Sequence, residues 1–288
     1  MNKWVKRSGL AVLIIFALIG MVFTAVFIGM QFGAFNVRGS IAERNAFFGI
    51  GKGTDTTLAP EPPAQACKDA NADTCNWNET PEWDVVAGGL TKDASIIQKV
   101  AGETNVSARL IASVVVPEQI RFFTAEREIF KRYFEPLKIL GSLSQFSLGV
   151  SGIKQETANK IEQYANDPTS EFYPGDGYAA LIAYQPGANH DTELYNRLTD
   201  AKNHYYSYLY TAIYIKEIEA QWAKAGFPVD NKPEVVGTLF NIGFQASHPN
   251  ANPKTAGATI TTGGKAYSFG ELGANFANSL ELRGQFPL

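Results

Sequence analysis

Glu118 is the residue of this 288-residue chain whose setting points most directly to chemistry. It follows the run ARLIASVVVP, residues 108–117. A carboxyl at the end of so apolar a run is expected against apolar walls, where desolvation disfavours the charged form. A carboxylic acid kept protonated near neutral pH can protonate a glycosidic oxygen. The same pattern also fits an exposed glutamate that opens a helix after a proline, where the helix dipole favours negative charge.

Two later stretches could complete a site. In GVSGIKQETA, residues 149–158, Gly149 and Gly152 lack a Cβ and can let backbone approach a sugar closely. In TLFNIG, residues 238–243, Asn241 offers a hydrogen-bond donor and an acceptor. Taken singly, the first also fits an ordinary turn and helix start, and the second a helix end closed by glycine. Tyr173 and Tyr178, on the Gly/Pro-rich FYPGDGY loop, are candidate faces for pyranose rings. Tyr206, Tyr210 and Tyr214 recur at helical spacing and read as core. His190, His204 and His248 are scattered without ligand spacing, so neither a metal nor a cofactor is expected. The TTGGKAYSFG stretch lacks the ending of a phosphate loop.

In this order, Glu118, the glycine motif and the asparagine motif resemble soluble lytic transglycosylases and goose-type lysozymes, members of the lysozyme-like superfamily. Gly149, Ile153, Thr157 and Ala158 match the GLMQIxPxTA pattern, and Ser147-Leu148 resembles the opening that precedes it. Asn241 and Gly243 match the YNxG pattern, with Phe240 where tyrosine is usual. The chain departs from the family at Gly152 for the motif glutamine, at Gln155 for proline and at Gln119 for the serine after the acid. The stretch from Glu118 to Gly149 is also longer than in compact members. The resemblance spans roughly residues 95–244. It implies cleavage of the β-1,4 bond between N-acetylmuramic acid and N-acetylglucosamine, with Glu118 as acid and then base. Ser147, Gly149, Gly152, Tyr173, Tyr178, Phe240 and Asn241 would bind substrate. In lytic transglycosylases the sugar's own 6-hydroxyl attacks the anomeric carbon, so one carboxylate suffices. A hydrolase needs a second carboxylate; Asp167, Glu171 and Asp176 are the candidates, and none lies in a motif.

The elements that must carry these residues are mostly helical. Periodicity predicts helices over 95–104, 108–116, 119–140, 155–164, 178–184, 191–225 (as one or two), 233–242 and 272–282. The helix from 108, capped by Ser107, is expected to stop at Pro117, and the 233–242 helix to be capped near Asp230 or Asn231 with Pro233 in its first turn. A small hairpin is expected within 255–267 over Gly263-Gly264. The expected fold is a mostly α, lysozyme-like helical domain over residues 94–288, preceded by one N-terminal transmembrane helix.

That anchor is read from the first 37 residues. Lys3, Lys6 and Arg7 precede an uncharged run over 8–37, long enough to span a bilayer and too long for the apolar core of a cleaved signal peptide. Positive flanks stay inside, so the N-terminus is expected in the cytoplasm and the bulk outside the inner membrane. Residues 38–93 read as a juxtamembrane piece, a Gly/Thr/Pro-rich linker over 49–66 and a loop bearing Cys67 and Cys75. As a flexible coil the linker spans roughly 20–25 Å. In an oxidising compartment the cysteines could close a disulfide, with two free thiols as the alternative. The composition, 45% apolar and 12% aromatic, suffices for a sizeable core, and the net charge of -3 excludes a basic nucleic-acid binder. Glycan strands and the membrane are the expected partners, with an envelope or secretion complex also open. The second function class is a non-catalytic peptidoglycan-binding or scaffold module.

Overall fold

A computed structural model describes Met21 and residues 67–69, 71–124 and 147–288. Apart from Met21, the apolar run 8–37 lies outside the described residues, as do 38–66 and the part of the expected 119–140 helix beyond 124. Among the described residues, no helix is long and apolar enough to cross a membrane.

The described chain is mostly α. Its helices are α1 (Pro81–Lys92), α2 (Ala94–Thr104), α3 (Ala108–Thr124), α4 (Gln155–Ala165), α5 (Tyr178–Leu181), α6 (His190–Thr199), α7 (Tyr205–Lys224), α8 (Pro233–Ile242) and α9 (Phe269–Asn278). Two antiparallel hairpins accompany them, β1 (Ser147–Leu148) with β2 (Ile153–Lys154) and β3 (Thr259–Thr262) with β4 (Lys265–Ser268). The α7 helix is apolar almost all round, with Leu209, Tyr210, Ile213, Ile215 and Trp222 buried, and a helix of that kind belongs at a domain centre. Helices α2, α3, α4 and α8 pack around it, and α9 lies across α3 and α8.

Local rules explain most boundaries. Pro233 takes the first position of α8, as expected, although the residue before it, Lys232, is the N-cap rather than Asp230 or Asn231. The last long helix begins at Phe269 instead of 272, because Ser268 and Glu271 form a reciprocal capping box. Gly263 and Gly264 both have positive φ, 57° and 72°, as a tight two-residue hairpin turn requires. The 191–225 stretch divides into α6 and α7.

Pro117 does not end its helix. Helix α3 runs through it to Thr124. Proline removes one N–H and leaves the Ser113 carbonyl without its intrahelical partner. Gly273 of α9 packs against that carbonyl so closely that a Cβ there would lie 2.6 Å from the oxygen. Val114, Val115, Val116, Ile120 and Phe123 are fully buried on both sides of the proline, so tertiary packing holds the helix together across it.

The folded unit also starts before residue 94. Trp77, Trp83, Val86 and Leu90 are buried in the shared core, and Trp83 lies 5.9 Å from Phe276 of α9. Thr80 caps α1 by accepting from the Trp83 amide at 3.3 Å. Cys67 and Cys75 are joined as a disulfide, with Cα atoms 5.8 Å apart, and the Cys75 amide donates to Gly263 O in the β3–β4 turn at 2.8 Å. The cysteine loop is therefore docked on the hairpin, and is part of the domain rather than of the linker.

One core position is costly. Glu217 of α7 is fully buried, neither carboxyl oxygen has a hydrogen-bond partner among the described residues, and burial pushes its pKa well above the usual carboxylate range. The raised pKa belongs to the folded state only. Stability from the neutral acid is thus complete below the unfolded value of 4.5 and is lost as pH rises from there towards the folded value. Glu82 and Glu219 are raised by burial as well, so the comparison must be with a variant. Glu217→Met is expected to stabilise the protein by about 1–3 kcal/mol at pH 8 and by less at pH 5, read from thermal unfolding. An equal gain at both pH values would mean that this carboxyl titrates normally.

Candidate functional site

Residues brought in from five separate stretches of chain enclose one pocket of about 280 Å³. Its wall includes Glu118 and Arg121 from α3, Ser151 to Lys154 from the first hairpin, and Phe240 to Gly243 from the end of α8. Thr157, Tyr214 and Ala258 complete it. Glu118 is the only carboxylate among the described lining residues.

The hairpin turn is pinned from two sides. The Ser207 hydroxyl on α7 accepts from the amides of Val150 at 3.1 Å and Ser151 at 3.4 Å, and Ser151 Oγ donates back to Ser207 O at 3.3 Å. On the other side the Gln119 amide donates to Val150 O. Val150 is fully buried beneath. The residue that follows the acid therefore orients the turn, a role that the sequence alone did not assign to Gln119.

Gly152 meets the acid directly. It has φ 63°, and a Cβ built on it would overlap the Glu118 carboxyl. The space expected for a sugar beside this glycine is occupied by the acid's own side chain. Gly152→Ala is expected to cost about 1–2 kcal/mol of stability, from the left-handed backbone and the clash together. The clash component should vanish when the same change is made in a Glu118→Ala background. A penalty of the same size in both backgrounds would show that Glu118 does not fill that space.

Glu118 is not surrounded by apolar walls alone. Its Oε2 accepts from the Arg121 guanidinium at 3.3 Å, with side-chain exposures of 17% and 14%. That pairing is possible only because α3 continues past Pro117 and sets the two residues one turn apart. Asn241 Oδ1 accepts from the Ala258 amide at 2.8 Å, tying the end of α8 to the segment that enters β3. The asparagine amide nitrogen makes no hydrogen bond among the described residues. Phe240 is buried between Tyr214, at 5.0 Å, and Phe269, at 6.4 Å.

Other expected substrate contacts lie elsewhere. Gly149 packs against the Leu198 carbonyl and the Ser207 hydroxyl and does not line the pocket. Ser147 pairs with Lys154 through the hairpin backbone. Tyr173 donates to Asp176 Oδ1 at 2.5 Å on an outer loop. Tyr178 packs against the core and donates to the Thr104 carbonyl at 2.8 Å, closing the end of α2. Neither tyrosine lines the pocket. The possible second acids are also occupied away from it. Asp167 accepts from Thr169, which holds its pKa below the usual range, Asp176 accepts from Tyr173, and Glu171 accepts from Gln221. Among the described residues no group of three or more His, Cys, Asp or Glu side chains is placed to hold a metal ion.

No known protein family, curated protein or solved structure matches this chain. Arg121, Lys154 and Tyr214 were not legible as site residues. Arg121 required the helix to pass a proline, and Tyr214 sits in a helix whose spacing announces core.

Proposed function

We propose that this pocket is the active site of a lysozyme-like, membrane-anchored lytic transglycosylase acting on peptidoglycan. The observation that supports it best is convergence. The three motifs that carry the resemblance are far apart in the chain, yet Glu118, Gly152, Phe240 and Asn241 line one pocket. In the proposed reaction the Glu118 carboxyl gives its proton to the glycosidic oxygen as the bond to the anomeric carbon breaks. The 6-hydroxyl oxygen of the same sugar then bonds to that carbon, and its proton returns to the Glu118 carboxylate. No water is consumed and no second carboxylate is needed. The disulfide at the domain's start supports an oxidising compartment, and the apolar N-terminal run supports an anchor facing the wall.

The second reading is a non-catalytic glycan-binding module of an envelope complex. It has one observation in its favour. The Glu118 carboxyl is already engaged by the Arg121 guanidinium at 3.3 Å, an arrangement that also fits a wall of fixed polar groups holding a ligand. Digestion of purified sacculi by the full chain separates the two. Soluble fragments ending in a 1,6-anhydro sugar, lighter by one water than hydrolysed ones, are expected in mass spectrometry. Fragments carrying that extra water would make the enzyme a hydrolase. Cosedimentation with sacculi that releases no fragments would replace the enzymatic reading by the binding one.

A further inference from the structure

Tyr214 belongs to the core by its burial and to the pocket by its position. It is 1% exposed, lines the pocket beside Phe240 and Asn241, and its hydroxyl makes no hydrogen bond among the described residues. Its ring lies 5.0 Å from Phe240 and 4.3 Å from Phe244, and neither phenyl ring offers a hydroxyl or a strong acceptor. The Phe244 amide faces its oxygen from outside hydrogen-bond geometry, which leaves the O–H proton unused. Glu217, one turn away on α7, has no hydrogen-bond partner among the described residues either.

A buried hydroxyl without a partner is destabilising, because it has given up water and received nothing in exchange. A phenylalanine would fill the same volume without that cost. The hydroxyl is therefore explained best by a partner that arrives with a ligand. Burial and the nearby Glu217 push the phenol pKa upward, so the group stays an O–H donor across the physiological range. A neutral donor on so buried a part of the wall suits a neutral oxygen, such as an amide carbonyl, because an anion there would lose its water without a countercharge at its side. The cationic groups on the wall, Arg121 and Lys154, are suited to anionic parts of a ligand instead.

We propose that the Tyr214 hydroxyl is a ligand-positioning donor, which hydrogen-bonds an N-acetyl carbonyl of the glycan held in this pocket. The proposal rests on the glycan reading above and names the chemical group that the pocket recognises. It assigns no step of bond cleavage to Tyr214.

The test is Tyr214→Phe in the full chain, with triacetylchitotriose and its deacetylated counterpart as probes in calorimetric titration. Affinity for the acetylated trimer is expected to fall about 5–10-fold, the value of one neutral hydrogen bond. Affinity for the deacetylated trimer should not change. The melting temperature should stay level or rise, since an unsatisfied polar atom has been removed. A lower melting temperature would mean that the hydroxyl has a partner within the protein, and the proposal is then wrong. Equal affinity of both proteins for the acetylated trimer would overturn it while leaving the glycan reading intact. Should the wild type bind neither trimer, the glycan reading fails and takes this proposal with it.

Discussion

Glu118→Gln should abolish clearing of a peptidoglycan-containing gel while leaving the protein folded. General acid–base catalysis by a positioned side chain contributes typically about 10²–10⁴-fold, so the loss should be of that order when release of soluble fragments is followed quantitatively. Glutamine keeps the shape of the side chain and one acceptor for Arg121, but has no proton to give and none to take back. The Glu118–Arg121 pair is partly exposed, and pairs of that kind contribute about 0–1 kcal/mol, so the melting temperature should move little. Clearing that persists at the wild-type rate would remove Glu118 from the chemistry and leave the pocket as a binding site.

Arg109→Ala should have the largest effect on folding. Arg109 is 4% exposed, and its guanidinium faces backbone oxygens instead of a carboxylate. It donates to the carbonyls of Phe276 at 2.6 Å, Ala277 at 3.0 Å, Ser279 at 2.8 Å, Glu281 at 2.6 Å and Phe286 at 3.1 Å, and it lies 4.4 Å from the Phe276 ring. The first of these carbonyls close α9, where the helix dipole leaves partial negative charge. The others hold the last turns of the chain against α3. Truncation strands several acceptors in a dry setting at once, at a cost of about 3–5 kcal/mol, comparable with breaking a buried ion pair. That is a large share of the roughly 5–15 kcal/mol that holds an ordinary domain together. Chemical denaturation should show a lower midpoint, and limited proteolysis should reach the C-terminal segment first. Arg109→Lys should restore only a part, because an ammonium is a point charge and cannot fork between so many oxygens. A midpoint unchanged in Arg109→Ala would show that the C-terminal segment holds without the clamp. Burial already pushes the Arg109 pKa down, and the carbonyl cage is what keeps the cation acceptable there.

Where local chemistry decides, the sequence was readable in advance. Helix α8 begins at Pro233 and ends before Gly243, and α4 covers Gln155–Ala165, because prolines, glycines and apolar spacing act within a few residues. The Gly263-Gly264 turn follows from two positive φ angles that glycine adopts without strain. Helix α1 was illegible because Thr80-Pro81 and Gly88-Gly89 look like turns, and only the burial of Trp83, Val86 and Leu90 makes a helix there worthwhile. Pro117 misled for the same reason, since a proline's local penalty was outweighed by apolar contacts on either side.

The candidate site divides along the same line. Sequence alone placed an acid after an apolar run, a glycine turn and an asparagine near a helix end, and arranged them in an order that suggested a glycan-cleaving chemistry. It could also mark the two cysteines as possible partners. Folding decided which of the named groups meet: Gly152 touches Glu118, whereas Gly149, Tyr173 and Tyr178 serve other contacts. It also recruited Arg121, Gln119 and Tyr214, and it bound Arg109 to carbonyls as far as 177 residues away along the chain. The physical reason is range. Propensity and capping are settled between neighbours in sequence, while burial and the pairing of polar groups are settled between neighbours in space, which only the packed helices define.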